Sequence, residues 1–98
     1  NDELAELQTA LDGSLGVLAP GGRLAAISFH SLEDGLVKRF MQKHSQDDPM
    51  YAGLPQIPPQ ARAKLRRVGR AIHPSAAEVA ANPRARSAVL RVAERVSA

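Results

Sequence analysis

The chain of 98 residues, 44% hydrophobic and only 3% aromatic, is enough for one small domain with a core of Leu, Val and Ala. Without cysteine there is no disulfide framework and no thiolate metal site, and no apolar run approaches the roughly 20 residues that span a bilayer, so a soluble cytoplasmic protein is expected. The net charge of +3 hides an asymmetry: residues 1–34 carry six acids against Arg23, whereas 35–98 carry twelve Lys and Arg against four acids and suit a polyanionic partner.

Leu4, Leu7, Leu11, Leu15 and Leu18 recur at helical spacing, with Glu6, Gln8 and Asp12 off the stripe. This predicts an amphipathic helix over 3–18 with Asp2 as its N-cap. Gly13 and Gly16 weaken its second half by about 1 kcal/mol each relative to Ala, and Pro20-Gly21-Gly22 ends it in a tight turn. The apolar run from Arg23 to Phe29 has strand length and reads as a strand buried on both faces. Helix, turn and strand then make half of a βαβ unit.

Ser31 followed by Asp34 approximates a capping box, opening a helix over about 32–45 with Leu36, Val37, Phe40 and Met41 on one face. Pro49, Gly53, Pro55, Pro58 and Pro59 make 46–64 a long Pro-rich loop. Over 65–72, Leu65, Val68 and Ile72 alternate with Arg66, Arg67 and Arg70, as in a basic strand near a sheet edge, with Gly69 marking a bulge. Pro74-Ser75-Ala76-Ala77-Glu78 is a second capping box, and Asn82-Pro83 keeps its helix short. From Arg84 to Val96 the pattern fits strand and helix almost equally.

The richest chemistry lies in Ser28-Phe29-His30-Ser31-Leu32-Glu33-Asp34, where an apolar strand runs into a helix. In open α/β sheets ligands bind at such strand ends. His30, Glu33 and Asp34 supply acid and base groups, and an equally complete reading has Ser31, Glu33 and Asp34 serving the helix N-terminus. Arg84 and Arg86, with Arg66, Arg67 and Arg70 upstream, suit phosphate recognition, or simply protect a sheet edge. Phe29 and Phe40 are assigned to the core, which leaves little aromatic surface for stacking bases. The chain has no G-x-G-x-x-G, P-loop or G-x-S-x-G, and His30, His44 and His73 lack zinc-protease spacing. No metal is expected.

Asn1-Asp2-Glu3-Leu4, Pro20-Gly21-Gly22-Arg23-Leu24, Ile27 to Asp34, Val37-Lys38-Arg39-Phe40, Pro74-Ser75 and Asn82-Pro83-Arg84-Ala85-Arg86-Ser87-Ala88 occur in this order along nearly the whole chain. Together they resemble the bacterial cytidine-N4 methyltransferases of small-subunit ribosomal RNA, in their C-terminal portion only. The resemblance implies the C-terminal half of a Rossmann-like class I methyltransferase domain, an α/β fold. Residues 23–29, 65–72 and 86–95 would be strands five, six and seven, ordered 5-7-6 with the seventh antiparallel. On that ground 86–95 is taken as strand.

The resemblance further implies S-adenosyl-L-methionine as cofactor, held mainly by the N-terminal half of the same fold, whose glycine-rich motif this chain lacks. It implies His30, Ser31 and Glu33 on the target side of the cleft, Arg84, Arg86 and Arg70 on RNA phosphate, and no activity for the chain alone. Since the first residue is not Met, the chain reads as a piece of a longer protein. The rival reading is a free-standing basic RNA-binding or regulatory module. Strand 23–29, deprived of a neighbour, should expose an apolar edge and drive self-association.

Overall fold

The leucine stripe forms a helix, α1 (Glu3–Val17), that runs through Gly13 and Gly16 because Leu11 is buried and Leu7 and Leu15 pack beside it. The computed structural model describes residues 2–96. Asp2 occupies the N-cap position without a side-chain capping bond, its carbonyl accepting from Glu6 N–H. After Pro20 the chain reverses at Gly21, whose φ of 87° suits glycine, and Gly22 N–H donates to Ala19 O at 2.8 Å. A Cβ on Gly22 would stand 2.9 Å from that same oxygen, so the turn accepts only glycine without shifting.

Strand β1 (Arg23–Ser28) leads into helix α2 (Ser31–His44). The Pro-rich stretch contains two short 3-10 turns, Pro49–Tyr51 and Pro59–Ala61, and is otherwise irregular. Strand β2 (Leu65–Arg67) is shorter than the predicted 65–72. Val68 N–H still donates to Val92 O, and Ile72 exchanges two backbone bonds with Leu90, but two extra residues intervene around Gly69, at φ 71°. The bulge is therefore real and it ends the regular ladder.

Helix α3 (Ala76–Ala81) has both halves of its capping box: Ser75 Oγ accepts from Glu78 N–H, and Glu78 Oε1 from Ser75 N–H. Asn82 then caps a 3-10 turn at Pro83–Ser87, so the final strand, β3, begins at Val89 and ends at Arg95. The expected start at 86 fails because Pro83 and the Asn82 side chain hold that segment in the turn.

The strands form one antiparallel sheet in the order β1-β3-β2, which is the order expected for segments 23–29, 86–95 and 65–72. Both longer helices lie on one face. Leu11 of α1, Val37, Phe40 and Met41 of α2, Leu65 of β2 and Ala93 of β3 are buried as one cluster, with Leu24 and Ala26 of β1 packed against it. The opposite face carries Ala25, Ile27, Leu90 and Val92, and at one end Glu94 bridges Arg23 and Arg66 at 3.2 and 3.1 Å.

Two expectations are corrected here. Residues 23–29 are not buried on both faces: exposure alternates along β1, and Ile27 is 63% exposed. Phe29 is not core either, being 59% exposed beyond the strand end, whereas Phe40 is buried. The cause is shared, since α1 and α2 cover only the face that carries Ala93 and Leu65.

Candidate functional site

Register brings the chemistry together. Ser28, the last residue of β1, pairs with Val89, the first of β3, and Ile72 pairs with Leu90. The strand-to-helix turn at 29–34, the bulge with Arg70 and the 3-10 turn with Arg84 and Arg86 therefore all issue from one end of the sheet. For β1 this is the carboxyl end, where an α/β sheet ordinarily binds ligands.

The turn at 29–30 is held by side chains folded back on the backbone. His30, not Ser31, is the N-cap of α2, in extended backbone geometry, and its Nδ1 accepts from Leu32 N–H at 3.1 Å. The ring hydrogen of that neutral tautomer is therefore on Nε2. Glu33 Oε1 accepts from Phe29 N–H at 3.3 Å, so two donors at the helix start are satisfied from one turn. The capping reading of this cluster is thus observed, with His30 taking the part expected of Ser31. An imidazole reaches the second amide beyond it as an Asn or Ser cap would, and leaves Ser31, exposed, as the first helical residue.

Capping engages one nitrogen of His30 and one oxygen of Glu33. The two side chains line a shared cavity of about 260 Å³ with Glu3, Leu4 and Leu32. Glu33 also borders a mostly apolar groove of about 280 Å³ that runs along β1 between α1 and α2. Donor and acceptor capacity thus meets in one cavity, and Glu33 is shared between it and the apolar groove.

Asp34 is tied elsewhere. Arg91 of β3 donates from Nε to Oδ1 at 2.7 Å and from a terminal nitrogen to Oδ2 at 3.0 Å, with both side chains about four-fifths buried. These hydrogen bonds hold the Asp34 carboxyl below its ordinary range against the opposing effect of burial, and the charges of Arg91, His73 and Lys38 act in the same direction. Arg91 in turn is raised by the same bond. This fork pins the first turn of α2 to the central strand. Sequence reasoning passed over Arg91, although a lone arginine between Leu90 and Val92 in a central strand is a signal for a partner across the sheet face.

The arginines do not converge on the His30 cavity. Arg84 and Arg86 are exposed on the 3-10 turn, where Asn82 Oδ1 accepts from Arg84 N–H at 3.2 Å. Arg70 borders a narrow cleft with Lys38, Arg67 and Arg91. Arg91 is the link between the groups: it borders the Arg70 cleft and grips the residue next to Glu33. Among the described residues no helix is long and apolar enough to cross a membrane.

Comparison with known proteins bears on this arrangement. A family model described as the MraW methylase family matches residues 1–96. The ribosomal RNA small subunit methyltransferase H of Shewanella frigidimarina is 54% identical over 98 residues, and the protein of the same name from Shewanella denitrificans is 53% identical over the same length. Each match covers 98% of this chain and 31% of the relative, so the chain spans about a third of the length of the curated relatives it matches.

Proposed function

The chain belongs to the MraW methylase family, and from that premise we propose that residues 1–98 are one partial domain, the C-terminal portion of a Rossmann-like methyltransferase sheet. In this reading β1, β3 and β2 stand as strands five, seven and six. The whole cytoplasmic enzyme carries out S-adenosyl-L-methionine-dependent N4-methylation of a cytidine in small-subunit ribosomal RNA, and this chain supplies one wall of its cleft. The observation that carries the reading is the register that gathers 29–34, Arg70 and 82–88 at one end of the sheet.

The residues present do not make a seat for S-adenosyl-L-methionine. Such cofactors are held at a glycine-rich turn between a strand and the helix that follows. Here the strand-to-helix turn is Phe29-His30, and the positive-φ glycines Gly21, Gly53 and Gly69 lie in three separate turns, none of them opening a helix. The chain alone is therefore inactive, and the N-terminal half of the same fold is its necessary partner.

The target side is a different matter. An exocyclic amine is a weak nucleophile, so the wall facing it must orient the base and take up or relay a proton. With Nδ1 accepting from Leu32, His30 donates from Nε2; with Oε1 held by Phe29, Glu33 accepts at Oε2. A cytosine edge presents the complementary pair, a ring-nitrogen acceptor beside an amine donor. Ser31, exposed next to His30 in the chain, adds a hydroxyl at the helix start, and Arg84, Arg86 and Arg70, apart from the cavity but at the same end of the sheet, hold phosphates of the flanking RNA.

The test uses a full-length relative carrying the substitution equivalent to His30→Ala. Turnover falls more than cofactor affinity does; unchanged turnover overturns the role of His30. Arg84→Ala weakens RNA binding and flattens its salt dependence, and if both stay as in the wild type, the arginines only solubilise the sheet end.

A further inference from the structure

A cavity of about 340 Å³ opens at the end of α2 remote from His30, between the last helical turn and the Pro-rich loop. It has a built frame. Asp48 N–H donates to Ala61 O at 2.7 Å, Ala63 N–H to Asp47 Oδ1 at 2.8 Å and Lys64 N–H to His44 O at 2.9 Å, so two passes of the chain are stitched together around it. Lys43, Arg62 and Lys64 line it, with Asp48 the one carboxylate in the lining. The C-terminus of α2 adds about half a negative charge. Asp47, held in the frame by Ala63 N–H, is the other nearby acid, and the three cations still exceed the two carboxylates and the helix end by about half a charge.

The donors are not exhausted by the loop. Arg62 Nε donates to Ile57 O at 3.3 Å and Lys64 Nζ to Gln60 O at 3.0 Å, which leaves the terminal guanidinium nitrogens and further ammonium hydrogens. Asp48 Oδ1 is occupied by Met50 N–H. The field is felt next door: burial first, then the charges of Lys43 and Lys64, push the His44 imidazole below its ordinary value, with only Asp12 pulling against them.

This cavity continues a line of positive charge. Strand β2 and α2 run side by side, joined at one end by the Lys64–His44 bond, and farther along Lys38, Arg67 and Arg70 border the narrow cleft between them. From Lys38, beside Arg70, to Lys43 at the loop cavity, the line follows α2 over about 8 Å. Aromatic groups are scarce along it: Phe40 is buried, and Tyr51 sits in the loop beyond the cavity lining. A surface of this kind reads the backbone of a nucleic acid and not its bases.

We propose that the flank between α2 and β2 is a track for the phosphodiester backbone of a single RNA strand, ending in a phosphate seat made by Lys43, Arg62 and Lys64. The inference rests on ribosomal RNA being the partner, and extends it to a binding surface away from the reacting groups. Backbone contacts here position the RNA and leave the choice of cytidine to the sheet end.

Fluorescence anisotropy of the chain joined to the N-terminal half of the same fold, with a short labelled single-stranded RNA over a salt series, tests it. Lys43 and Arg62 are exposed, so K43Q/R62Q spares the core, which far-ultraviolet circular dichroism verifies. The double variant should lose affinity on the order of tenfold at low salt, and the slope of log affinity against log salt should flatten by about 0.7 for each phosphate no longer neutralised. Lys43→Arg with Arg62→Lys should restore both. Unchanged affinity and slope in K43Q/R62Q, together with weaker binding by R84Q/R86Q, overturns the track and leaves the RNA reading standing. A folded wild-type protein containing both halves that binds no RNA at low salt overturns that reading, and the track with it.

Discussion

Replacing Arg91 by Leu removes the fork that ties α2 to the central strand. The pair is one-fifth exposed, 20% and 21% for the two side chains, so it falls between the exposed and buried limits. Exposed ion pairs contribute about 0.2–1 kcal/mol, whereas breaking a buried pair costs about 3–5 kcal/mol because the orphaned charge stays desolvated. With two hydrogen bonds removed and Asp34 able to recover some water, we expect a cost of about 2 kcal/mol. For a urea slope of about 1–2 kcal/mol/M, that lowers the midpoint by about 1–2 M, read by circular dichroism with the slope unchanged.

The pH dependence makes this prediction specific. The folded carboxyl of Asp34 lies below its unfolded value, so its contribution is complete above the ordinary aspartate range and is lost as pH falls through the folded value. The gap between wild type and Arg91→Leu should therefore be full at neutral pH and shrink only in strong acid. Asp34→Asn should remove most of it, and the double variant should be close to either single one. An unchanged midpoint in Arg91→Leu at neutral pH, or additive effects of the two substitutions, refutes the idea that the fork holds α2.

Further expectations follow from packing and from the open sheet. Met41→Ala, at a position 2% exposed, should cost about 2–5 kcal/mol, close to the whole stability of so small a domain, and calorimetry should show a lowered or missing transition. Gly69→Ala places a Cβ at φ 71° with no clash around it, so the cost is conformational alone, about 1–2 kcal/mol in denaturant unfolding. The chain in isolation should self-associate in sedimentation velocity through β1 and its exposed apolar face, and Ile27→Lys should shift it toward monomer. A wild-type chain that stays monodisperse at high concentration refutes that expectation.

Elements with strong local signals were readable from the chain alone. The leucine stripe, the Ser75–Glu78 capping box, the glycine turn at 21–22 and the breakers in 46–64 each act within a few residues, so sequence shows them directly. The ordered blocks around His30 and Arg84 also identified the family, and with it the order of the three strands and the strand that periodicity could not tell from a helix over 84–96. What local pattern could not supply was anything that depends on a partner far along the chain. Apolar residues at Ile27 and Phe29 look like core until both helices settle on the other face. Arg91 looks like a surface charge until the register of β3 sets it against Asp34, 57 residues away. Composition and spacing determined which helices and turns form, because those are decided by near neighbours. Tertiary structure decided which face is covered and which charges meet, because burial and ion pairing exist only once distant segments share a surface.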